Sequence, residues 1–333
     1  MQRLNQLRLG QIEWTEENAA PLYACTGCRH CSTYCEHDNE PGIVLMAGRS
    51  EANRRGVQHK KLKDYPDRFR KRDQRIVEYR REQFSEEFNR QTPSNADVGF
   101  FPGCDAVDKS APDVASTLEL FEAISSPATK LIDTTVGCAG YPLVAAGYVD
   151  MFRWQAKRVA EELRGYKTVV FNCSACVHAA RTLYPAEGIE LPCKVVSLPE
   201  YLDQCLSKLR NQGEKPDVYY HDPCYLARYE HVTDEPRRVL GQIANVREFS
   251  WAGPEADCCG GAGLLPKTMP ETADRMAAQR LREVAQAGGG TVVSGCGTCT
   301  FLLRQNAPDG VKVRGFGAFV RDLVASLDHS NES

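Results

Sequence analysis

Residues 291–299 read TVVSGCGTC, and residues 168–176 read TVVFNCSAC. Each is a short β-branched run that ends on a Cys-x-x-Cys pair, the signature of a buried strand stopping at a functional turn. The match has neighbours. DVYYHDPC (217–224) ends at Cys224 as VGFFPGC (98–104) ends at Cys104, 120 positions earlier. Cys258-Cys259-Gly260 stands where Cys138-Ala139-Gly140 stood, again 120 positions apart. The helix-period stretch TADRMAAQRLREVAQ (272–286) answers DMFRWQAKRVAEELRGY (150–166). Four landmarks in the same order define two copies of a unit of about 120 residues.

Inside a copy, strand and helix patterns alternate. APDVASTLELFEAI (111–124) has helical periodicity, KLIDTTVGC (130–138) and KTVVFNC (167–173) read as strands, and CVHAARTLY from Cys176 reads as helix. Such alternation predicts an α/β fold: two tandem units with parallel sheets and crossover helices. The expected bounds are 96–213 for the first unit and 214–333 for the second. A small, mainly helical segment (1–51) and a charged helical linker (52–95) precede them. In the linker, Ile76, Val77, Tyr79, Phe84 and Phe88 leave a thin apolar stripe. The reading there is a solvated helix from about Asp67 to Arg90, stopping before Thr92-Pro93.

Composition narrows the function. The chain has 333 residues, 41 basic against 44 acidic side chains and a net charge of −3. That balance argues against binding nucleic acid by bulk charge. No apolar run approaches the 18 residues of a spanning helix, and MQRLNQLRLGQIEW at the start lacks the apolar core of a secretory signal. The expectation is a cytoplasmic protein, with peripheral contact at the inner face of the membrane left open. Fifteen cysteines in such a chain point to metal or redox chemistry rather than disulfides.

Cys25, Cys28, Cys31 and Cys35 form a C-x₂-C-x₂-C-x₃-C run, the spacing that wraps one loop around a [4Fe–4S] cubane. Zinc fits less well, because its second ligand pair usually lies farther on. Glu36 follows where Pro is usual, and no second run exists to share Cys35. Cys35 is therefore expected to close its own cluster; Cys193 or Cys205, otherwise read as core thiols, would be the substitutes. The second copy offers five thiols, Cys224, Cys258, Cys259, Cys296 and Cys299, each after a predicted strand. Ligands at the carboxyl ends of parallel strands converge on one crevice. Gly260, Gly261 and Gly263 suit close approach of the chain to a bulky cofactor, or are plain turn residues. The first copy offers Cys104, Cys138, Cys173 and Cys176, with Ala139 in place of the doubled cysteine. Four thiols suit a cubane, a Cys₄ zinc site or an empty pocket.

The pattern C-x₃₃-CCG-x₃₅-C-x₂-C, doubled behind a ferredoxin-like run, resembles the CCG cysteine-rich domain family, with HDPCYLAR (221–228) and DCCGGAG (257–263) as its signatures. The resemblance covers about residues 20–327. That family includes the B and D subunits of heterodisulfide reductase. It also includes the iron–sulfur subunits of glycolate oxidase, of lactate-utilisation systems and of anaerobic glycerol-3-phosphate dehydrogenase. The resemblance implies a noncubane [4Fe–4S] cluster on the five second-copy cysteines, which would then be the redox-active ligands. Ala139 and the single ferredoxin run depart from the fuller family pattern.

His221, Asp222 and His178 border the ligand positions; each either tunes a cluster or caps and packs. GFGAFVRDLVASL (315–327) carries Phe316, Phe319, Val320, Leu323, Val324 and Leu327 on one helical face, expected to lie on the second unit. There is no GxGxxG after a strand, P-loop or GxSxG, so a flavin or nicotinamide would sit on another polypeptide. The expected function is electron transfer as an iron–sulfur oxidoreductase subunit, between a flavoprotein partner and a disulfide or quinone. The alternatives are a disulfide reductase working at the second-repeat cluster and a non-enzymatic zinc-binding interaction protein.

Overall fold

A computed structural model describes residues 1–90, 97–124, 129–211 and 213–324. The expected stop at Thr92-Pro93 and the face position Leu327 lie outside the described residues. Two sheets carry the predicted repeat. The first holds β1 (Val98–Phe101), β2 (Thr129–Leu131), β3 (Thr168–Phe171) and β4 (Lys194–Ser197), in the order β2-β1-β3-β4. The second holds β5 (Asp217–His221), β6 (Asn245–Arg247), β7 (Gly290–Ser294) and β8 (Val311–Gly315), in the order β6-β5-β7-β8. Every pairing in both sheets is parallel. The chain steps outward from the first strand of each sheet to one side, then to the other. The switch point therefore lies between β1 and β3, and between β5 and β7, where open α/β sheets bind ligands.

Helices Ala111–Ala123, Val149–Glu162, Asp234–Ile243 and Pro270–Gln286 cover the sheets. The expected strand 130–138 is shorter than its pattern: β2 ends at Leu131, and the rest is the loop that delivers Cys138. Strands β4, β6 and β8 were not expected; each is three to five residues long.

The charged segment is not a solvated linker helix. It forms the helix Tyr65–Gln83, then a separate turn of helix from Ser85. Its face is docked on the first repeat. Phe69 and Ile76 join one core with Phe101, Val159 and Tyr225, each contributing roughly 1.5–3 kcal/mol by burial. Buried Asp73 accepts from the Gly137 amide at 2.9 Å, and buried Arg80 donates to the Thr134 carbonyl at 2.7 Å. Interleaved charges hid the docking, because two of them, Asp73 and Arg80, are core groups with backbone partners.

The helix Phe316–Leu323 packs on the second repeat, as expected, and on the first as well. It lies along Ala111–Ala123 of the first repeat, where a Cβ on Gly317 would meet Thr117 Cβ at 3.0 Å. Phe316, Phe319 and Val320 join Phe100, Leu118 and Phe121 with Tyr220 and Val239 in a core shared by both repeats. No described helix is long and apolar enough to cross a membrane.

Candidate metal centre

In each repeat, the thiols leave the carboxyl ends of the strands. Cys104 opens the helix Cys104–Lys109 just beyond β1, and Cys224 precedes the turn Tyr225–Tyr229 beyond β5. Cys173 and Cys296 are the N-caps of the helices Ser174–His178 and Gly297–Gln305. Their partners Cys176 and Cys299 lie in those helices' first turns, where free amides favour negative charge.

Thiols of both sets line one cavity of about 530 Å³. They are Cys104, Cys138, Cys173 and Cys176 of the first repeat and Cys224, Cys259, Cys296 and Cys299 of the second. They also meet: Cys173 hydrogen-bonds to Cys296 across the repeat boundary. Cys259 and Cys299 lie 3.1 Å apart, and Cys104 and Cys138 lie 3.6 Å apart. Hydrogen bonds from Cys258 and Cys299, with the Gly261 amide, hold the Cys259 thiol well below its ordinary range. A hydrogen bond with Cys138 and the Arg72 guanidinium also lower the pKa of Cys104.

Cys258 lies behind the cavity lining, hydrogen-bonded to the lining thiols Cys224 and Cys259. It hydrogen-bonds with Cys28, and its Sγ lies 3.6 Å from Thr26 Oγ1. The doubled cysteine thus points one thiol at the cavity and one at the N-terminal run. Within that run, Cys25 feels the charges of Cys28 and Cys31. Cys35 accepts from the Asn39 side chain at 3.3 Å, which with nearby amides lowers its pKa. Cys193 and Cys205 lie against the two hydrophobic cores, and burial raises both thiols, Cys193 to about 11.

The glycines have different neighbours. A Cβ on Gly261 would meet Cys259 Sγ at 3.4 Å. Gly260 faces the backbone of Ala273, and Gly263 faces Thr26 of the N-terminal run, both at positive φ. Gly260 and Gly263 let chain approach chain; Gly261 borders the thiol. His178 binds Glu230 at 3.0 Å and packs against the Tyr229 ring at a tilt, a packing arrangement. Asp222 accepts two hydrogen bonds from Arg237 and one from the Gly253 amide. His221 accepts from Arg280, and burial followed by that cation pushes its pKa down to about 3.

The sequence reading missed the arginines. Arg72 Nη1 lies 3.2 Å from Cys104 Sγ. Arg228 holds the Cys28, Pro254 and Ala256 carbonyls, and Arg280 holds the Trp251 carbonyl. Arg228 falls inside the quoted signature HDPCYLAR; nothing local marks Arg72 or Arg280.

These surroundings fit a buried anionic group rich in acceptor atoms. Among the described residues, His221 Nε2, Arg228 Nη2 and Arg280 Nη2 are buried polar nitrogens with no hydrogen-bond partner. All three border the second-repeat thiols through contacts given above or Coulombic influence on them. A buried orphan donor costs about 1–3 kcal/mol, and sulfur of a thiolate cluster would accept from it. Thiolate ligands select iron–sulfur clusters or zinc.

Comparison with known proteins agrees with this chemistry. The family model described as the CCG cysteine-rich domain matches residues 98–180 and 218–304, just over half of the chain. The B subunit of the fumarate reductase (CoM/CoB) of Methanothermobacter marburgensis is 28% identical over 313 residues, which are 92% of this chain and 61% of that protein. The D subunit of the dihydromethanophenazine:CoB–CoM heterodisulfide reductase of Methanosarcina barkeri is 26% identical, over 93% of this chain and 78% of that one. The C subunit of the anaerobic glycerol-3-phosphate dehydrogenase of Escherichia coli is 25% identical, over 63% and 55%.

Proposed function

The chain belongs to the CCG cysteine-rich domain family, and on that premise we propose that it is an iron–sulfur electron-transfer subunit of a heterodisulfide-reductase-like oxidoreductase. Its relatives are subunits of a heterodisulfide reductase, a fumarate reductase and a glycerol-3-phosphate dehydrogenase. A flavoprotein or other redox subunit would be its partner, and a disulfide or quinone its acceptor. Cys25, Cys28, Cys31 and Cys35 would hold a [4Fe–4S] cubane. Cys224, Cys258, Cys259, Cys296 and Cys299 would hold a noncubane [4Fe–4S] cluster. Cys104, Cys138, Cys173 and Cys176 would hold a cubane, zinc or nothing. Bound there, iron–sulfur groups supply one-electron transfer at potentials set by hydrogen bonds, charge and burial.

One observation carries the reading: Cys28 meets Cys258 while the adjacent Cys259 lines the cavity. A pair of neighbouring residues therefore links the N-terminal thiols to the cavity thiols. The chain's own groups do the rest. Helix N-termini favour the thiolate form, buried arginines offset its charge, and Tyr65, Tyr141 and Tyr225 narrow the cavity. The cavity walls carry thiols on both sides, which also supports the second reading, that the acceptor disulfide is reduced inside it.

Anaerobic reconstitution of the full chain tests the proposal. About eight irons per chain are expected, or about twelve if the first repeat also loads a cubane. Four or fewer irons, or a colourless zinc protein, overturn it. Thiol release from added disulfides separates the second reading from a relay.

A further inference from the structure

The second-repeat wall holds a polar pair whose geometry fixes one proton. His221 ends β5, and Arg280 reaches it from the helix Pro270–Gln286. Both are buried. Arg280 Nε donates to His221 Nδ1 at 3.1 Å. A guanidinium has only donors, so Nδ1 must present its lone pair. The ring's single proton then sits on Nε2. That Nε2 is buried with no partner, and so is Arg280 Nη2. A His221 ring nitrogen, Cys259 Sγ and Cys299 Sγ all lie within 4.8 Å of one another.

The first repeat has no such pair. Phe101 sits opposite Phe171 in the β1–β3 register as His221 sits opposite Ser294 between β5 and β7. Gly140 faces Phe152 and Gln155 as Gly260 faces Ala273 and Met276, which matches Val159 to Arg280. Phe101, Phe171 and Val159 are all buried and apolar. The polar pair therefore belongs to the repeat with the doubled cysteine, and the fold does not require it.

We infer that His221 and Arg280 are a donor pair of fixed tautomer, aimed at sulfur of the iron–sulfur group on the second-repeat cysteines, and that His221 is not an iron ligand. The inference rests on the iron–sulfur reading of that repeat. A ligating nitrogen needs a free lone pair, and Nε2 carries the proton. A donor to sulfur stabilises the more negative, reduced form and raises the potential. Arg280 is a positioning residue, since it holds the imidazole in the donating tautomer.

The test uses the anaerobically reconstituted full chain and three readouts: iron and sulfide content, redox titration followed by paramagnetic resonance, and pulsed resonance on protein carrying ¹⁵N-histidine. His221→Phe is expected to keep the wild-type iron load and to shift the second-repeat midpoint to more negative values. The N-terminal signal should not move. His221→Gln, which keeps an N–H near the Nε2 position, should shift it less. The wild-type ¹⁵N coupling should be of hydrogen-bonded rather than coordinated size. Loss of iron in His221→Gln, or a coordinated-size coupling, makes His221 a ligand and overturns the inference. An unmoved midpoint in His221→Phe reduces the pair to packing and also overturns it. If His221→Phe does not fold, His221→Gln and the wild-type coupling decide. A wild-type second repeat that takes no iron overturns the proposed function itself, a failure recognised before any variant is made.

Discussion

The two repeats share strand order, register and every motif cysteine position but that of Ala139, yet they solve one local problem with different residues. The loop before each cysteine turn must have its inward carbonyls satisfied. In the first repeat, Arg80 donates to the Thr134 and Val136 carbonyls. In the second, Arg228 donates to the equivalent Pro254 and Ala256 carbonyls. One arginine comes from a helix ahead of the repeats and the other from within the second repeat. The fold thus prescribes a guanidinium at that place and leaves its origin free. The wall beside the thiols differs in kind: Phe101, Phe171 and Val159 make it apolar in the first repeat, whereas His221, Ser294 and Arg280 make it polar in the second. A dry wall suits a structural or neutral site, and a wall of spare donors suits a charged one.

The largest expected effect breaks the comparison outright. Cys259→Ala should abolish turnover with the terminal acceptor and remove the second-repeat signal, while the signal from the Cys25–Cys35 run persists. Full activity in Cys259→Ala together with none in Cys28→Ala would place the working end at the N-terminal run.

Phe101→Ala probes the dry wall. It should cost about 3–5 kcal/mol, the usual figure for a buried aromatic, read from urea unfolding. A cost under about 1 kcal/mol would mean that this wall is not core. Arg80→Met and Arg228→Met test the shared solution. Arg80→Met leaves the Thr134 carbonyl without its donor, the Val136 carbonyl still being held by Thr134 Oγ1, whereas Arg228→Met strips the Cys28, Pro254 and Ala256 carbonyls. Each should cost at least roughly 1–3 kcal/mol, and an Arg228→Met variant more stable than Arg80→Met by unfolding midpoint would show that the loops are not equivalent.

Ala139→Cys should be the mildest. One added sulfur at a buried position changes stability by about 1 kcal/mol or less. The iron content of the first repeat should stay as it was, because the apolar wall remains. Iron gained by Ala139→Cys alone would make the missing thiol the whole difference between the repeats.

Much of this was legible in the sequence. The landmarks placed Cys104 and Cys224 just beyond β1 and β5, because β-branched runs and cysteine spacing are local signals, whereas Cys138 and Cys259 come on loops well past the ends of β2 and β6. The edge strands β2 and β6, three residues each, were too short for a pattern to settle their limits. The helix Tyr65–Gln83 read as solvated because Asp73 and Arg80 find backbone partners about sixty residues away. No window of sequence contains that pairing. The cavity between the repeats was likewise out of reach: Cys173 and Cys296 are neighbours only after both sheets exist. The same holds for the fixed tautomer of His221, which needs Arg280 from another element.

Arg49 carries a consequence for how the protein is made. Its guanidinium is buried, and its hydrogen bonds go to the carbonyls of Leu22, Cys25, Ala145 and Gly263. The last of these partners is 214 residues further along the chain. At about 5–20 residues per second of synthesis, the N-terminal run waits roughly 10–40 s for it. Through that interval Cys25 and Cys28 have neither the Gly263 turn nor Cys258 against them. A newly made chain thus presents the thiols of Cys25 and Cys28 early and encloses them only once Gly263 and Cys258 have been made and packed against the loop.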